Sequence, residues 1–134
     1  VNTASECGFT PQYQKLQALW TEYRPAGLIV IGIPCNEFGA QEPAEEASIQ
    51  DFCESRYGVT FPMTEKLELI GRNAHPLFIA LREEFTADVL PRWNFHKYLF
   101  GRDGDLLLHW PSRVEPDDPG FRHDVEKNLA SWSL

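Results

Sequence analysis

The 134-residue chain sets 12 Lys and Arg against 20 Asp and Glu, a formal charge of −8, and is 43% hydrophobic and 24% charged. That is the profile of one soluble domain able to bury a core without disulfides or structural metal, and an acidic chain with no massed basic patch argues against nucleic acid as a partner. The longest apolar run, Leu28 to Ile33, falls far short of the roughly 20 residues that span a bilayer, and three cysteines without regular spacing point to a reducing, cytoplasmic compartment.

The chain opens at Val1-Asn2, within what reads as a strand and without an initiator Met, so a leader or further structure is expected upstream. No repeat or low-complexity linker divides it, and one domain is the simplest organisation. Thr10-Pro11 supplies a cap residue and a proline for the first helical position; Tyr13, Leu16, Leu19, Trp20 and Tyr23 then recur at helical spacing until Pro25 and Gly27. Leu28 to Ile33 is a continuous apolar run, rich in β-branched residues and ended by Pro34, the pattern of a mid-sheet strand covered on both faces. The loop from Asn36 to Pro43 leads into a second helix. Glu45 and Glu46 lie at its positive end, Ile49, Phe52, Cys53 and Tyr57 on its buried face, and Gly58 is its stop.

Leu67 to Ile70 predicts a short strand and Pro76 to Phe85 a helix. Phe95 to Phe100 and Leu106 to Trp110 flank the turn dipeptide Asp103-Gly104 and predict an antiparallel hairpin; Phe121, Val125 and Leu129 share one face of a closing helix. With a strand ahead of Cys7, the order is βαβ followed by ββα. That gives an α/β, thioredoxin-like arrangement, a central mixed sheet flanked by helices.

Cys7 falls between a strand end and a helix N-terminus, where amide N–H groups and the helix dipole favour a thiolate that attacks peroxides and disulfides. The same position also suits a small buried hydrophobe. Cys35 follows Pro34 with no paired Cys or His spacing and reads as structural, and Cys53 shares the inner face of its helix as a packed thiol. His75, His96, His109 and His123 are scattered over different elements and read as surface or turn residues. Trp20, Trp110 and Trp132 read as core or rim aromatics. Trp93, between Pro91-Arg92 and Asn94, stands at the entrance to a strand, where a binding or catalytic side chain projects.

Taken together, these segments resemble the glutathione peroxidase family. Val1 to Thr10 (VNTASECGFT) is similar to the signature around its reactive residue, Pro34 to Pro43 (PCNEFGAQEP) to its second, and Trp93-Asn94-Phe95 with Lys97-Tyr98-Leu99 to its third. Tyr57 to Pro62 and Asn73 to Leu77 match further stretches, so the likeness covers essentially the whole chain in one order. The resemblance implies that Cys7 is the peroxidatic residue, at a position some relatives fill with selenocysteine. Gln41, Trp93 and Asn94 are then the partners that hydrogen-bond its sulfur and the peroxide oxygens. Amide and indole donors suit that task because they do not titrate near neutral pH.

The resemblance also makes Cys53 the resolving thiol. The implied enzyme reduces hydrogen peroxide and organic hydroperoxides through a Cys7 sulfenic acid and a Cys7–Cys53 disulfide, with thioredoxin, or less favourably glutathione, as reductant. It needs no cofactor and no metal. Tetrameric relatives carry a long insertion before the Trp-Asn pair; the short stretch from Phe85 to Trp93 looks like the monomeric, thioredoxin-dependent branch. The family's N-terminal hairpin and most of its first core strand are expected ahead of Val1, and residues 1–134 are expected to form a single domain. Family members carry Gln where this chain has Glu37, which is expected to point to solvent, since an anion aimed at the site would raise the thiol pKa. Two other readings stand beside the enzyme: a peroxide sensor or redox relay that passes oxidation to a partner protein, and a thioredoxin-like binding domain with no reactive thiol.

Overall fold

A computed structural model describes residues 1–131; Trp132 lies outside the described residues. The elements run β1 (Asn2–Thr3), α1 (Gln12–Tyr23), β2 (Ile33–Pro34), α2 (Glu46–Tyr57), α3 (Pro76–Phe85), β3 (Lys97–Phe100), β4 (Leu106–Trp110) and α4 (Pro119–Ser131). The four helices fall where hydrophobic periodicity places them. α1 buries Tyr13, Leu16, Leu19 and Trp20, and its stop is a 3-10 turn at Arg24–Ala26 followed by Gly27 at φ +103°. α2 ends at Gly58, also left-handed at φ +64°. α2 itself is lightly anchored: of its 12 residues only Ile49 and Cys53 are buried, and no side chain caps its N-terminus.

Thr10 does not cap α1. Its hydroxyl accepts the Cys7 N–H at 2.9 Å and donates to the Ala4 carbonyl at 2.8 Å, so it braces the turn ahead of the helix and leaves Pro11 as the cap residue.

The strands form two ladders. β1 pairs parallel to β2, with Asn2 opposite Ile33 and Thr3 opposite Pro34. β3 pairs antiparallel to β4 with a bulge after Leu99, and the connection runs through Gly101–Asp105 with Gly104 at φ +90°. The ladders meet where Phe95 N–H donates to the Asn2 carbonyl at 2.7 Å and Asn2 Nδ2 donates to the Trp93 carbonyl at 2.8 Å. β1 is thereby the junction from which both the Cys7 turn and the Trp93–Asn94 segment are hung.

Two expected strands are corrected. Ladder pairing within Leu28 to Pro34 is confined to Ile33–Pro34, because β1 offers only Asn2–Thr3 as its partner; Gly32 adds a single bridge to Met63. The run is not covered on both faces: Ile29 is 69% and Ile31 46% exposed. They line an apolar trough of ≈ 380 Å³ with Leu99, Phe100, Leu107 and Leu129. Leu67 to Ile70 forms no strand. Leu67 N–H reaches the Pro34 carbonyl at 2.9 Å, but the backbone N–H groups of Leu69 and Ile70 are taken by a side chain, Glu37, in place of a neighbouring strand.

Glu37 therefore does not point to solvent. Its Oε1 accepts both amides, with the Cys35 thiol donating to it at 3.4 Å. Cys35 is fully buried, and burial first, then the Glu37 carboxylate, push its thiol up to about 12, consistent with a structural role.

The histidines are also not all isolated surface groups. His96 is buried, and its Nε2 lies 2.9 Å from His109 Nδ1 across the hairpin, both rings stacking with Tyr98. His75 starts α3, its Nδ1 accepting the Leu77 N–H. The core lies in three clusters. One holds Cys7, Tyr13, Ile49, Cys53 and Phe95, a second Cys35, Leu69, Phe78 and Leu81, and a third Leu19, Phe121 and Val125. Cys7 and Cys53 thus belong to the same cluster.

Candidate active site

Cys7 sits in a tight turn between β1 and α1. Successive bonds from Thr10 N–H to the Cys7 carbonyl and from Gln12 N–H to the Phe9 carbonyl wind that turn into the helix. The geometry directs the Phe9 N–H at the sulfur, 3.3 Å from Cys7 Sγ. The sulfur thus stands in the turn ahead of α1 and accepts one backbone N–H. At 8% exposure the residue is nearly closed off by its own core cluster, while Gly8 beside it has nothing within 4 Å of where a Cβ would stand.

The loop after β2 delivers Gln41. Gly39 and Ala40 are both left-handed, at φ +70° and +51°, a conformation that costs a non-glycine residue roughly 1–2 kcal/mol. The next residue is tied to the Cys7 turn, since Glu6 N–H donates to the Gln41 carbonyl at 3.0 Å. On the far side, Phe95 takes φ +66° while fully buried, and this kink at the start of β3 turns Trp93 and Asn94 toward the loop. Asn94 Nδ2 donates to Gln41 Oε1 at 2.9 Å and to the Phe38 carbonyl at 3.2 Å. Trp93 packs edge-on to Phe38 and covers Gly39 so closely that a Cβ there would meet the indole Cη2 at 2.6 Å.

Of the five residues expected at the site, Gln41, Trp93 and Asn94 are drawn into one group and joined to the Cys7 turn through the Glu6 amide. The donor on the Cys7 sulfur is the Phe9 backbone, not a carboxamide or the indole. Asn94 spends its N–H groups on Gln41 and Phe38, so the free donors of the group are Gln41 Nε2 and Trp93 Nε1. Cys53, 1% exposed on the inner face of α2, makes no bond to Cys7; all three cysteines are free thiols. Burial, and secondarily the charge of Glu42, raise the Cys53 thiol pKa, while the Tyr13 hydroxyl beside it opposes that shift.

Sequence reasoning passed over several buried or backbone-acting residues in and beyond the site. Phe9 acts through its backbone, which no side-chain pattern reveals. Lys97 is buried, its Nζ donating to the Ser112 carbonyl at 3.0 Å, and burial lowers it to about 7. Glu42 lies next to Gln41 in the quoted motif and is fully buried; a charged residue in a segment otherwise rich in turn formers was the available signal. Among the described residues no group of three or more His, Cys, Asp or Glu is close enough to hold a metal ion, and no helix is long and apolar enough to cross a membrane.

A thiol at the mouth of the first helix of a βαβ–ββα fold defines a thioredoxin-like redox protein. The sequence model of the family described as glutathione peroxidase matches residues 1–82. The chain is 47% identical over 137 aligned positions to hydroperoxy fatty acid reductase gpx1 of Synechocystis sp., covering 96% of this chain and 80% of that protein. It is 42% identical over 131 positions to the glutathione peroxidase-like peroxiredoxin gpx1 of Schizosaccharomyces pombe, covering 96% and 82%. The crystal structure of Trgpx in apo form matches with a TM-score of 0.72 at 33% identity, over 97% of this chain and 78% of that one. The chain belongs to the glutathione peroxidase family. It is a thiol peroxidase, an oxidoreductase that reduces hydroperoxides.

Proposed function

We propose that Cys7 carries the peroxidase reaction, with Cys53 as its resolving thiol and a thioredoxin-like dithiol protein as reductant. The observation that carries this reading is the Cys7 turn itself: a sulfur receiving the Phe9 N–H, bonded through Glu6 to a Gln41–Asn94 pair that leaves Gln41 Nε2 and Trp93 Nε1 as donors. The thiolate attacks the nearer peroxide oxygen; the O–O bond breaks, Cys7 becomes a sulfenic acid, and the departing alkoxide or hydroxide takes up a proton to leave as alcohol or water. Gln41 and Trp93 steady that oxyanion. Cys53 then condenses with the sulfenic acid, releasing water, and exchange with the dithiol restores both thiols.

Organic hydroperoxides, fatty acid hydroperoxides among them, are proposed substrates beside hydrogen peroxide, on the strength of the similarity to the Synechocystis reductase. The chain is proposed to act as a monomer in a reducing, cytoplasmic setting and to form a single domain.

Cys53 is sealed in the folded helix, and a disulfide needs Cα atoms within roughly 4.4–6.8 Å. α2 is therefore proposed to unwind during turnover, as its sparse anchoring and missing cap favour. Intact-mass measurement after one equivalent of peroxide tests the scheme. The expected result is an internal disulfide in the wild type, a single added oxygen in Cys53→Ser, and no change in Cys7→Ser. Slow turnover with a reduced thioredoxin, together with a trapped mixed disulfide to another protein, would replace the enzyme with the sensor or relay.

A further inference from the structure

Thr10 has the residue type and the place of a helix cap, yet no side chain caps α1, and Pro11 stands at the cap position. The hydroxyl is spent in the opposite direction. Thr10 Oγ1 accepts the Cys7 N–H at 2.9 Å and donates to the Ala4 carbonyl at 2.8 Å, while the Thr10 N–H donates to the Cys7 carbonyl at 3.0 Å. One residue thus holds both backbone groups of Cys7. The turn from Cys7 to Thr10 is closed by a side-chain bond in addition to the backbone bond that ordinarily defines a turn.

Both ends of this brace are anchored. Ala4 is fully buried and follows β1, the strand at which the two ladders meet. On the other side the Thr10 carbonyl accepts the Tyr13 N–H at 3.0 Å, and the buried Tyr13 ring packs edge-on to Phe95 with 5.2 Å between centroids. The hydroxyl is therefore a crossbar between the end of a strand and the start of a helix, with Cys7 suspended from it. Two groups that bear on the site follow the turn wherever it stands. The Phe9 N–H, inside the turn, lies 3.3 Å from Cys7 Sγ, and Glu6, just ahead of it, holds the Gln41 carbonyl through its N–H at 3.0 Å.

Resting on the reading of Cys7 as the peroxide-reactive residue, we propose that Thr10 is a positioning residue of the peroxidase reaction. Its hydroxyl, acting through the Cys7 N–H, sets the sulfur in register with the Phe9 amide and with the donors on Gln41 and Trp93. Thr10 is itself buried, so a side chain of the same shape without the oxygen would fill the space but leave the Cys7 N–H and the Ala4 carbonyl unpaired away from water. The turn would then shift to find them other partners. Reaction with peroxide is sensitive to such a shift, because the departing oxyanion must meet donors already in place. Alkylation by iodoacetamide expels iodide and builds no oxyanion, so it requires the sulfur but not the register.

The test compares two rate constants at Cys7, with hydrogen peroxide by stopped flow and with iodoacetamide by peptide mapping, in wild type, Thr10→Val and Thr10→Ser. The expected result is that Thr10→Val loses about 10²-fold toward peroxide while keeping its rate toward iodoacetamide, and that Thr10→Ser restores most of the loss. General loosening of the fold would instead raise alkylation at Cys35 and Cys53 and would not single out peroxide. A Thr10→Val protein with the wild-type ratio of the two rate constants overturns the proposal. So does a Thr10→Ser protein as slow as Thr10→Val, which would assign the effect to the methyl group. Should Thr10→Val fail to fold, hydrogen exchange in the wild type decides: a Cys7 amide that exchanges slowly, like that of Tyr13, supports the brace, and one that exchanges freely overturns it. If Cys7→Ser is oxidised by peroxide as fast as the wild type, the reading of Cys7 itself falls, and the role of Thr10 falls with it.

Discussion

Asn94 donates through Nδ2 to Gln41 Oε1 at 2.9 Å, and this contact decides which end of the Gln41 carboxamide is left unoccupied. With its oxygen occupied, Gln41 can offer only its N–H₂ group. The orientation is transmitted from a residue at the entrance of β3 to the loop after β2, two segments 53 positions apart.

Asn94→Ala should therefore act on the peroxide reaction by freeing Gln41 rather than by removing a donor from the sulfur. Loss of one positioned donor costs about 10²-fold, and a comparable fall is expected in the rate constant for Cys7 oxidation, measured by stopped flow. Gln41→Ala should give a similar fall, and the double variant little more than either, because the two residues act as a unit. Two independent, multiplying losses would show that the pair is not coupled.

Glu37→Ala leaves two backbone N–H groups, those of Leu69 and Ile70, without their acceptor. A destabilisation of about 2–3 kcal/mol is expected in urea, with the peroxide rate constant unchanged. Glu37→Gln keeps a carbonyl acceptor and should lie closer to wild type. With its thiol pushed up to about 12, Cys35 should also resist iodoacetamide in mildly alkaline buffer while Cys7 is alkylated; modification mapped to Cys35 in the native protein would contradict its placement.

His96 sets a pH window for stability. Burial, reinforced by His109, Lys97, the N-terminal amine and Arg92, holds its ring at about 4 against an ordinary 6.5. Between those values the unfolded chain takes up a proton that the folded one refuses. Stability from this group is complete above 6.5 and is lost as the pH falls toward 4, at about 1.4 kcal/mol per pH unit and about 3 kcal/mol in all. His96→Phe, which keeps a ring on Tyr98, should flatten that part of the profile in denaturant titrations; an equal slope in both proteins would exclude His96 as its source.

The trough should be detectable by dye. Ile29, 69% exposed, can be replaced by Lys with a change in stability within about 0.5 kcal/mol. Binding of an apolar fluorophore such as ANS should fall in Ile29→Lys relative to wild type. Undiminished dye fluorescence would place the accessible apolar surface elsewhere.

The parts of the fold legible in the sequence are those governed by local periodicity. The four helices declare their buried faces every three or four residues, and the hairpin declares its turn. What could not be read is pairing between distant segments. The run from Leu28 to Ile33 carries the composition of a covered strand, but coverage depends on partners elsewhere in the chain, and Ile29 and Ile31 remain exposed. Glu37 was misjudged for a related reason: its role depends on Leu69 and Ile70, more than 30 positions away. His96 and His109 meet only because the β3–β4 register, which sets His109 opposite Tyr98, brings the residue just ahead of β3 within reach. At the site, Cys7, Gln41, Trp93 and Asn94 were legible as side chains in motifs, while the Phe9 amide and the Thr10 brace, being matters of backbone geometry, were not.

Gly39 adds a constraint of a different kind. Since even a methyl group there would collide with the indole of Trp93 at 2.6 Å, the ring's tilt is governed by an atom that is missing. Position 39 thus fixes where the indole stands: bulk introduced on the loop would displace Trp93 and, with it, the Nε1 donor proposed to steady the departing oxyanion.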